Sequence, residues 1–209
     1  MSVAESVLRQ LPSEVEESAK RSAVRAPRAE HLRSEPFVSL ARQLFFPPNA
    51  PARKSVLLVG ADASTNTLGL CQNLAKALAE TSRETVAIVQ PTAAAGQSTR
   101  EAVEISPGVW QIASGPWCAQ SRANAWGHGA PKEIRSFDFW LFCASSRDAD
   151  LPTFCGLCDA VVLVLTANVT RREVALSTKN LLLQQKAKLV GAILDQRTLP
   201  IPESIYRRL

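Results

Sequence analysis

The stretch Ser55–Ala79, SVLLVGADASTNTLGLCQNLAKALA, constrains the chain more than any other. Ser55 to Val59 is a short apolar, β-branched run bounded by Gly60, the pattern of a buried strand. From Thr67 onward Leu70, Cys71, Leu74, Ala75, Leu78 and Ala79 recur at helical spacing. Between the two lies GADASTN, a loop of small and polar residues.

Strand, small-residue loop and helix in that order form the layout of a phosphate-binding P-loop. The loop lacks the matching chemistry. A working P-loop uses glycines so that backbone N–H groups close round a phosphate. It uses a Lys for the β- and γ-phosphates and a Ser or Thr hydroxyl for Mg²⁺. With Asn73-Leu74-Ala75 as the anchor, the Lys position falls on Thr67 and the hydroxyl position on Leu68. The two loop glycines fall on Ser64 and Asn66.

The 209 residues suffice for one domain with a substantial core. With 46% hydrophobic and 21% charged residues, the composition is that of a soluble globular protein. No apolar run is long enough to span a bilayer, and MSVAESVLRQLPSEVEES has no signal-type apolar core, so a cytoplasmic location is expected. The odd number of cysteines, five at uneven spacing, reads as reduced thiols. The net charge of +5 is concentrated late in the chain, where Arg171, Arg172, Lys179, Lys186, Lys188, Arg197, Arg207 and Arg208 outnumber Glu173, Asp195 and Glu203. A solvated surface explains this, as does attraction to an acidic partner or an anionic membrane leaflet. No nucleic-acid motif accompanies the charge.

Residues 1–34 are rich in Glu, Arg, Ala and Ser and read as a mobile tail or weak helix. Ser34-Glu35-Pro36 predicts a helix start, with Phe37, Leu40, Ala41, Leu44 and Phe45 as its apolar stripe and Pro47-Pro48 as its stop. Asn49 to Lys54 is a linker. Further strands are expected over Thr85–Val89, Val109–Ala113, Phe137–Cys143, Ala160–Thr166 and Leu189–Leu194. Helices are expected over Leu151–Leu157 and Arg172–Gln185. Thr92 to Ser106 reads as loop, and Trp117 to Ser136 has no sustained period. Alternating helices and fully apolar strands imply an α/β fold, a parallel sheet with helices on both faces.

Glu35–Leu44, Ser55–Ala79, Phe137–Ser145 and Asp159–Leu194 together resemble the cytoplasmic kinase domain of bacterial tyrosine kinases of capsule and exopolysaccharide synthesis. These are P-loop relatives of the MinD/ParA ATPases. FDFWLFCASS followed by CDAVVLVLTANVTRREV is similar to that family's FDYVIIDTPP strand and its DGVVLVVRAGxTxxxxV strand and helix. The resemblance implies three ATP motifs, and the sequence departs from each. Thr67 and Leu68 replace the P-loop Lys and hydroxyl. Gln90 stands at the position of an Asp that closes the next strand. Cys143 stands at the position of the Walker B Asp. An amide and a thiol do not replace carboxylates as ligands of Mg²⁺, and phosphoryl transfer rests on that electrostatic stabilisation. The family's Glu-x-x-Arg-x-x-Arg assembly pattern keeps Glu35 but has Val38 and Ala41 at its Arg positions, with Arg42 one place off. The family's tyrosine cluster is reduced to one residue, Tyr206, a candidate phosphate acceptor for another kinase or a packing residue.

These departures lead to an expected non-catalytic, regulatory or binding relative of the exopolysaccharide tyrosine kinases, with no cofactor. Its implied partner is a polysaccharide co-polymerase membrane protein or an active kinase paralogue, which would bring it to the inner face of the membrane. The alternatives are a weak or rebuilt ATP-dependent kinase or ATPase, using ATP and Mg²⁺, and a MinD-like peripheral membrane module. Cys155-x-x-Cys158 lacks the second pair a structural zinc site needs and reads as core. No local pattern supports pairing Cys143 with His31 or His128 as a catalytic couple. Trp140 is expected in the core, and Trp117 and Trp126 as loop packing or a docking surface.

Overall fold

The computed structural model describes residues 27–62, 64–91, 102–114 and 137–196, with side chains from Glu35 onward. The chain divides into two compact units, Met1–Phe37 and Val38–Leu209. The elements are α1 (Pro27–Phe45), β1 (Ser55–Gly60), α2 (Thr67–Ser82), β2 (Val86–Gln90), β3 (Val103–Ser106), β4 (Val109–Ala113), β5 (Phe139–Ser145), α3 (Leu151–Leu157), β6 (Ala160–Thr166), α4 (Arg172–Gln184) and β7 (Leu189–Asp195).

In the second unit the strands form one seven-stranded sheet in the order β3-β4-β2-β5-β1-β6-β7. Every neighbouring pair is parallel except β3 with β4. Strands β1, β2, β5 and β6 are buried along almost their whole length, as expected where helices cover both faces. Leu57, Val59, Trp140, Phe142, Val161 and Leu163 line one face and pack with Phe154 and Leu157 of α3 and Leu182 of α4. The alternate strand residues, Val56, Leu58, Leu141 and Cys143, point to the other face. Helix α2 buries Leu70, Cys71, Leu74 and Leu78, and Cys71 Sγ lies 3.9 Å from the Phe142 carbonyl. Phe45 is fully buried and meets Phe139 edge-on at 5.2 Å.

Two carboxylates tie the strands at their amino ends. Asp159 Oδ2 accepts from Lys54 N, Ser55 N and Ser55 Oγ at 2.9–3.0 Å. Asp138 Oδ2 accepts from Thr85 N (2.9 Å) and Thr85 Oγ1 (2.8 Å). These donors, Thr85 N foremost, hold the Asp138 carboxyl below its ordinary value.

The structure corrects three expectations. Helix α1 starts at Pro27, not at Ser34, and carries Pro36 inside it. A Pro suits the first helical position, and Pro36 gives up a single N–H bond within a helix continuous on both sides. The stretch read as loop to Ser106 contains strand β3. Its turn is made by Pro107 and Gly108, whose φ is +73° and whose N–H bonds Glu104 Oε1 at 3.1 Å. The sheet is therefore mixed at that edge. The strand expected from Phe137 begins at Phe139, because Asp138 is engaged in holding Thr85. Residues 1–26, Trp117, Trp126, His128 and Tyr206 lie outside the described residues, so no role expected of them is addressed by the structure.

Candidate functional site

In a parallel sheet the loops at the carboxyl ends of the strands gather on one edge, where such folds bind ligands. Here the loops after β1, β5 and β6 meet. Gly60 closes β1 with no side chain to spare: a Cβ there would stand 3.1 Å from both Thr65 Cβ and Thr67 Cγ2. The loop then passes beneath its neighbours. Ala61 N donates to Val164 O at 3.0 Å, and Ser146 N donates to Gly60 O at 3.0 Å. The Ala61 carbonyl accepts from Ser146 Oγ at 2.9 Å and from Thr178 Oγ1 at 3.3 Å.

Asp62 is the centre of this loop. Its Oδ1 accepts from Ser64 N at 2.9 Å, from Thr65 Oγ1 at 3.3 Å and from the Ser64 hydroxyl. Its Oδ2 accepts from Thr170 Oγ1 at 2.9 Å, across 108 residues of sequence. The Ser64 hydroxyl is the main cause that holds the Asp62 carboxyl below its ordinary 3.8, and partial burial opposes it. Asp62 is thus a carboxylate at neutral pH. Buried Thr65 and Thr166 join hydroxyls at 3.3 Å, and Thr166 N donates to Thr170 Oγ1 at 2.9 Å. The turn after β6 is set by Asn168, whose φ of +60° falls where the resembling pattern has Gly.

The amino end of α2 is closed from within. Asn66 is the N-cap, and its Oδ1 accepts from Gly69 N at 3.0 Å. Gly69 makes room for it: a Cβ at 69 would lie 2.5 Å from Asn66 Nδ2. In a P-loop the backbone donors of this loop and the first helical turn face a phosphate. In this chain Ser64 N and Gly69 N face the oxygens of Asp62 and Asn66.

The residues singled out from the sequence come together in part. Ser64, Asn66, Thr67 and Leu68 share the loop and first turn of α2. Gln90 and Cys143 sit towards the carboxyl ends of adjacent strands, with Val89 in register with Phe142. Gln90 is half-buried, and its carbonyl accepts from Ser114 N at 2.7 Å. Cys143 is buried in register with Leu58, and its Sγ donates to Val89 O at 3.5 Å. Burial, and after it the adjoining Cys143, push the Cys71 thiol well above its ordinary value. The two thiols are therefore neighbours beneath α2.

Sequence reasoning missed Asp62, Thr65, Thr166 and Thr170. The one local signal was Asp62-x-Ser64, the spacing at which an Asp side chain takes the N–H two residues on. Asp148 and Asp150 also stand near this edge. Asp148 Oδ2 accepts from Ser145 N at 2.6 Å, and Asp150 Oδ2 accepts from Ser114 Oγ at 2.7 Å. Among the described residues no group of three or more His, Cys, Asp or Glu is placed to hold a metal ion. Among the described residues at this edge, Thr67 carries no charge, Leu68 has no side-chain oxygen, Gln90 and Cys143 are not carboxylates, and Asp62 puts a negative charge in the loop. Cys155 and Cys158 are core residues, as expected, and burial raises the Cys155 thiol to about 11.

No protein-family model matches the sequence, and no curated protein matches it. Solved structures do. The chimerical protein CapA2B2 superposes with a TM-score of 0.62 at 15% identity, covering 84% of this chain and 87% of that one. The kinase domain of VpsO superposes with a TM-score of 0.56 at 17% identity, covering 83% of this chain and 100% of that one. The cell division protein MinD of Aquifex aeolicus superposes with a TM-score of 0.52 at 12% identity, covering 74% and 72%. The chain thus has the α/β fold shared by bacterial tyrosine kinase domains and MinD-type P-loop ATPases.

Proposed function

We propose that this chain is a non-catalytic relative of the exopolysaccharide tyrosine kinases, a binding or regulatory component that keeps the fold without the nucleotide site. The observation that carries the reading is Asp62. Its ionised carboxylate takes the backbone donor of Ser64, the hydroxyls of Ser64 and Thr65 in the loop, and the hydroxyl of Thr170 after β6. A triphosphate brought to the same loop would meet a fixed negative charge and a helix end already capped by Asn66. No Lys at 67 and no metal-holding carboxylate at 90 or 143 offsets that repulsion.

The partners that suit this role are a polysaccharide co-polymerase membrane protein or an active kinase paralogue, reached at the cytoplasmic face of the membrane. Arg171, Arg172, Lys179, Lys186 and Lys188 are exposed and would add weak attraction to anionic lipid. Among the described residues no helix is long and apolar enough to cross a membrane.

The test is phosphoryl transfer. With Mg-ATP alone, the protein should neither label itself nor release phosphate. An active tyrosine kinase of the same cell should label the wild type but not Tyr206→Phe. Turnover by the purified chain that is lost in Cys143→Ala would overturn the proposal in favour of a rebuilt enzyme.

A further inference from the structure

Helix α4 leaves apolar side chains open on one flank. Leu176 is 47% and Leu183 52% exposed. With Arg172 and Lys179, both exposed, they form a stripe at spacings of four, three and four residues. That is the repeat by which one helix meets another. The helix faces the sheet with other residues. Leu182 is fully buried, Leu181 packs against the core, and Thr178 Oγ1 donates to the Ala61 carbonyl at 3.3 Å, on the side of β1. The stripe is thus turned away from β1, to the side of the edge strand β7.

Strand β7 meets it with a matching surface. Ala192 and Leu194 are in register with Leu163 and Leu165. They lie on the face of the sheet where α3 and α4 pack. Ala192 is exposed, and Leu194 is 51% exposed. The flank of α4 and this face of β7 form the wall and floor of a shallow groove with leucines on both. Exposed Lys186 and Lys188, between α4 and β7, mark one end of it, and Arg172, at the start of α4, marks the other. Glu173 is the only acidic residue of α4. Asp195 follows Leu194 and so points to the opposite face.

We propose that this groove takes an acidic amphipathic helix of a partner protein, which becomes the next helix of the layer formed by α3 and α4. The inference rests on the reading of this chain as a binding component and names the chemistry of what it binds. Apolar residues on one face of the partner helix would cover Leu176, Leu183 and Leu194. Asp or Glu beside them would meet Lys179 within the stripe and Arg172 and Lys186 at its ends. A second copy of this chain does not suit the groove, because Arg172, Lys179 and Lys186 would face their own kind. A bilayer calls for a broad apolar face with cations on the opposite side, whereas here Lys179 stands between the two leucines.

The experiment follows backbone amide shifts by NMR on the full chain. The probes are two synthetic helices of about 21 residues with the same leucine repeat, one carrying Glu and the other Lys beside it. The acidic helix should shift the amides of residues 176–183 and 192–194 and leave those of β1 and β2 in place. The basic helix should bind at least tenfold more weakly. Lys179→Glu should weaken the acidic helix at least tenfold and strengthen the basic one, and Leu183→Gln should weaken both. Both variants alter exposed side chains, so their thermal unfolding should match the wild type. Amides of α4 that stay unmoved by the acidic helix would overturn the proposal, as would equal binding of the two helices. So would shifts produced only by vesicles of equal phosphatidylcholine and phosphatidylserine, which would assign the groove to the membrane. Shifts produced by raising the protein concentration alone would assign it to a second copy, with the same consequence. None of these readouts involves nucleotide, so their failure is distinct from a failure of the non-catalytic reading.

Discussion

Replacing Asp62 by Ala removes the group that organises the loop after β1. The carboxylate loses a 2.9 Å bond from Ser64 N, a 2.9 Å bond from Thr170 Oγ1, a longer one from Thr65 Oγ1 and the Ser64 hydroxyl. A hydrogen bond to a charged group contributes about 1.5–3 kcal/mol when sheltered. Asp62 is only partly buried, and solvent screening cuts such terms sharply. The freed donors of Ser64 are exposed and can turn to water, and buried Thr65 keeps its contact with Thr166, so a total loss of about 1–2 kcal/mol is expected. For a chain of this size that lowers Tm by roughly 2–8 °C.

The pH dependence has a definite sign. Asp62 is held below its ordinary value, so its contribution is present above the unfolded value, about 3.9. It is lost as pH falls through the lower folded value. Thermal unfolding of wild type and Asp62→Ala should therefore differ by the same amount at pH 7 and pH 5, and converge below about pH 4. With the internal anion gone, inorganic phosphate should also raise the Tm of the variant more than that of the wild type. Equal melting at pH 7, or equal phosphate responses, would refute the placement of Asp62 as the loop's own anion.

Further outcomes follow from other contacts. Asn66→Ala should cost about 1 kcal/mol as a lost N-cap. Gly69→Ala should stabilise α2 only in that background, because in wild type the new Cβ displaces the cap; a double-mutant cycle by denaturant unfolding should show coupling of about 1 kcal/mol. Asp159→Ala should cost about 2 kcal/mol by releasing Lys54 N, Ser55 N and Ser55 Oγ, read as a Tm lower by roughly 4–8 °C. Cys71, Cys143, Cys155 and Cys158 are buried and should react with a disulfide reagent at pH 8 only on unfolding. The Cys155 thiol, raised to about 11 from 9.0, adds a loss of stability as pH climbs between those values, because the folded state there holds more protons.

The interior of this fold was legible because its central strands are apolar throughout. Val56–Val59, Val86–Val89 and Ala160–Val164 lie between helices on both faces, and such burial leaves one readable pattern. Strand β3 escaped notice because it has little to bury. All four of its residues are exposed or half-exposed, and its pairing depends on a turn at Pro107-Gly108. The start of α1 was misplaced because a Pro inside a helix and a Pro at its first turn look alike in sequence. At the site, position alone shows that Thr67, Leu68, Gln90 and Cys143 are not the Lys, hydroxyl and carboxylates that the resemblance implies. What fills the loop could not be read that way, since Asp62 meets Thr170 only after the sheet has brought β1 and β6 together.

The non-catalytic reading is tested most directly by the melting temperature of the purified full chain with and without Mg-ATP. In an intact site, a ligand at a thousand times its Kd stabilises the fold by about 4 kcal/mol, a rise of at least several degrees at this chain length. Here the shift with millimolar Mg-ATP should be negligible and the same when EDTA removes the metal. A clear rise that requires Mg²⁺ would contradict the account and restore a nucleotide site to this loop.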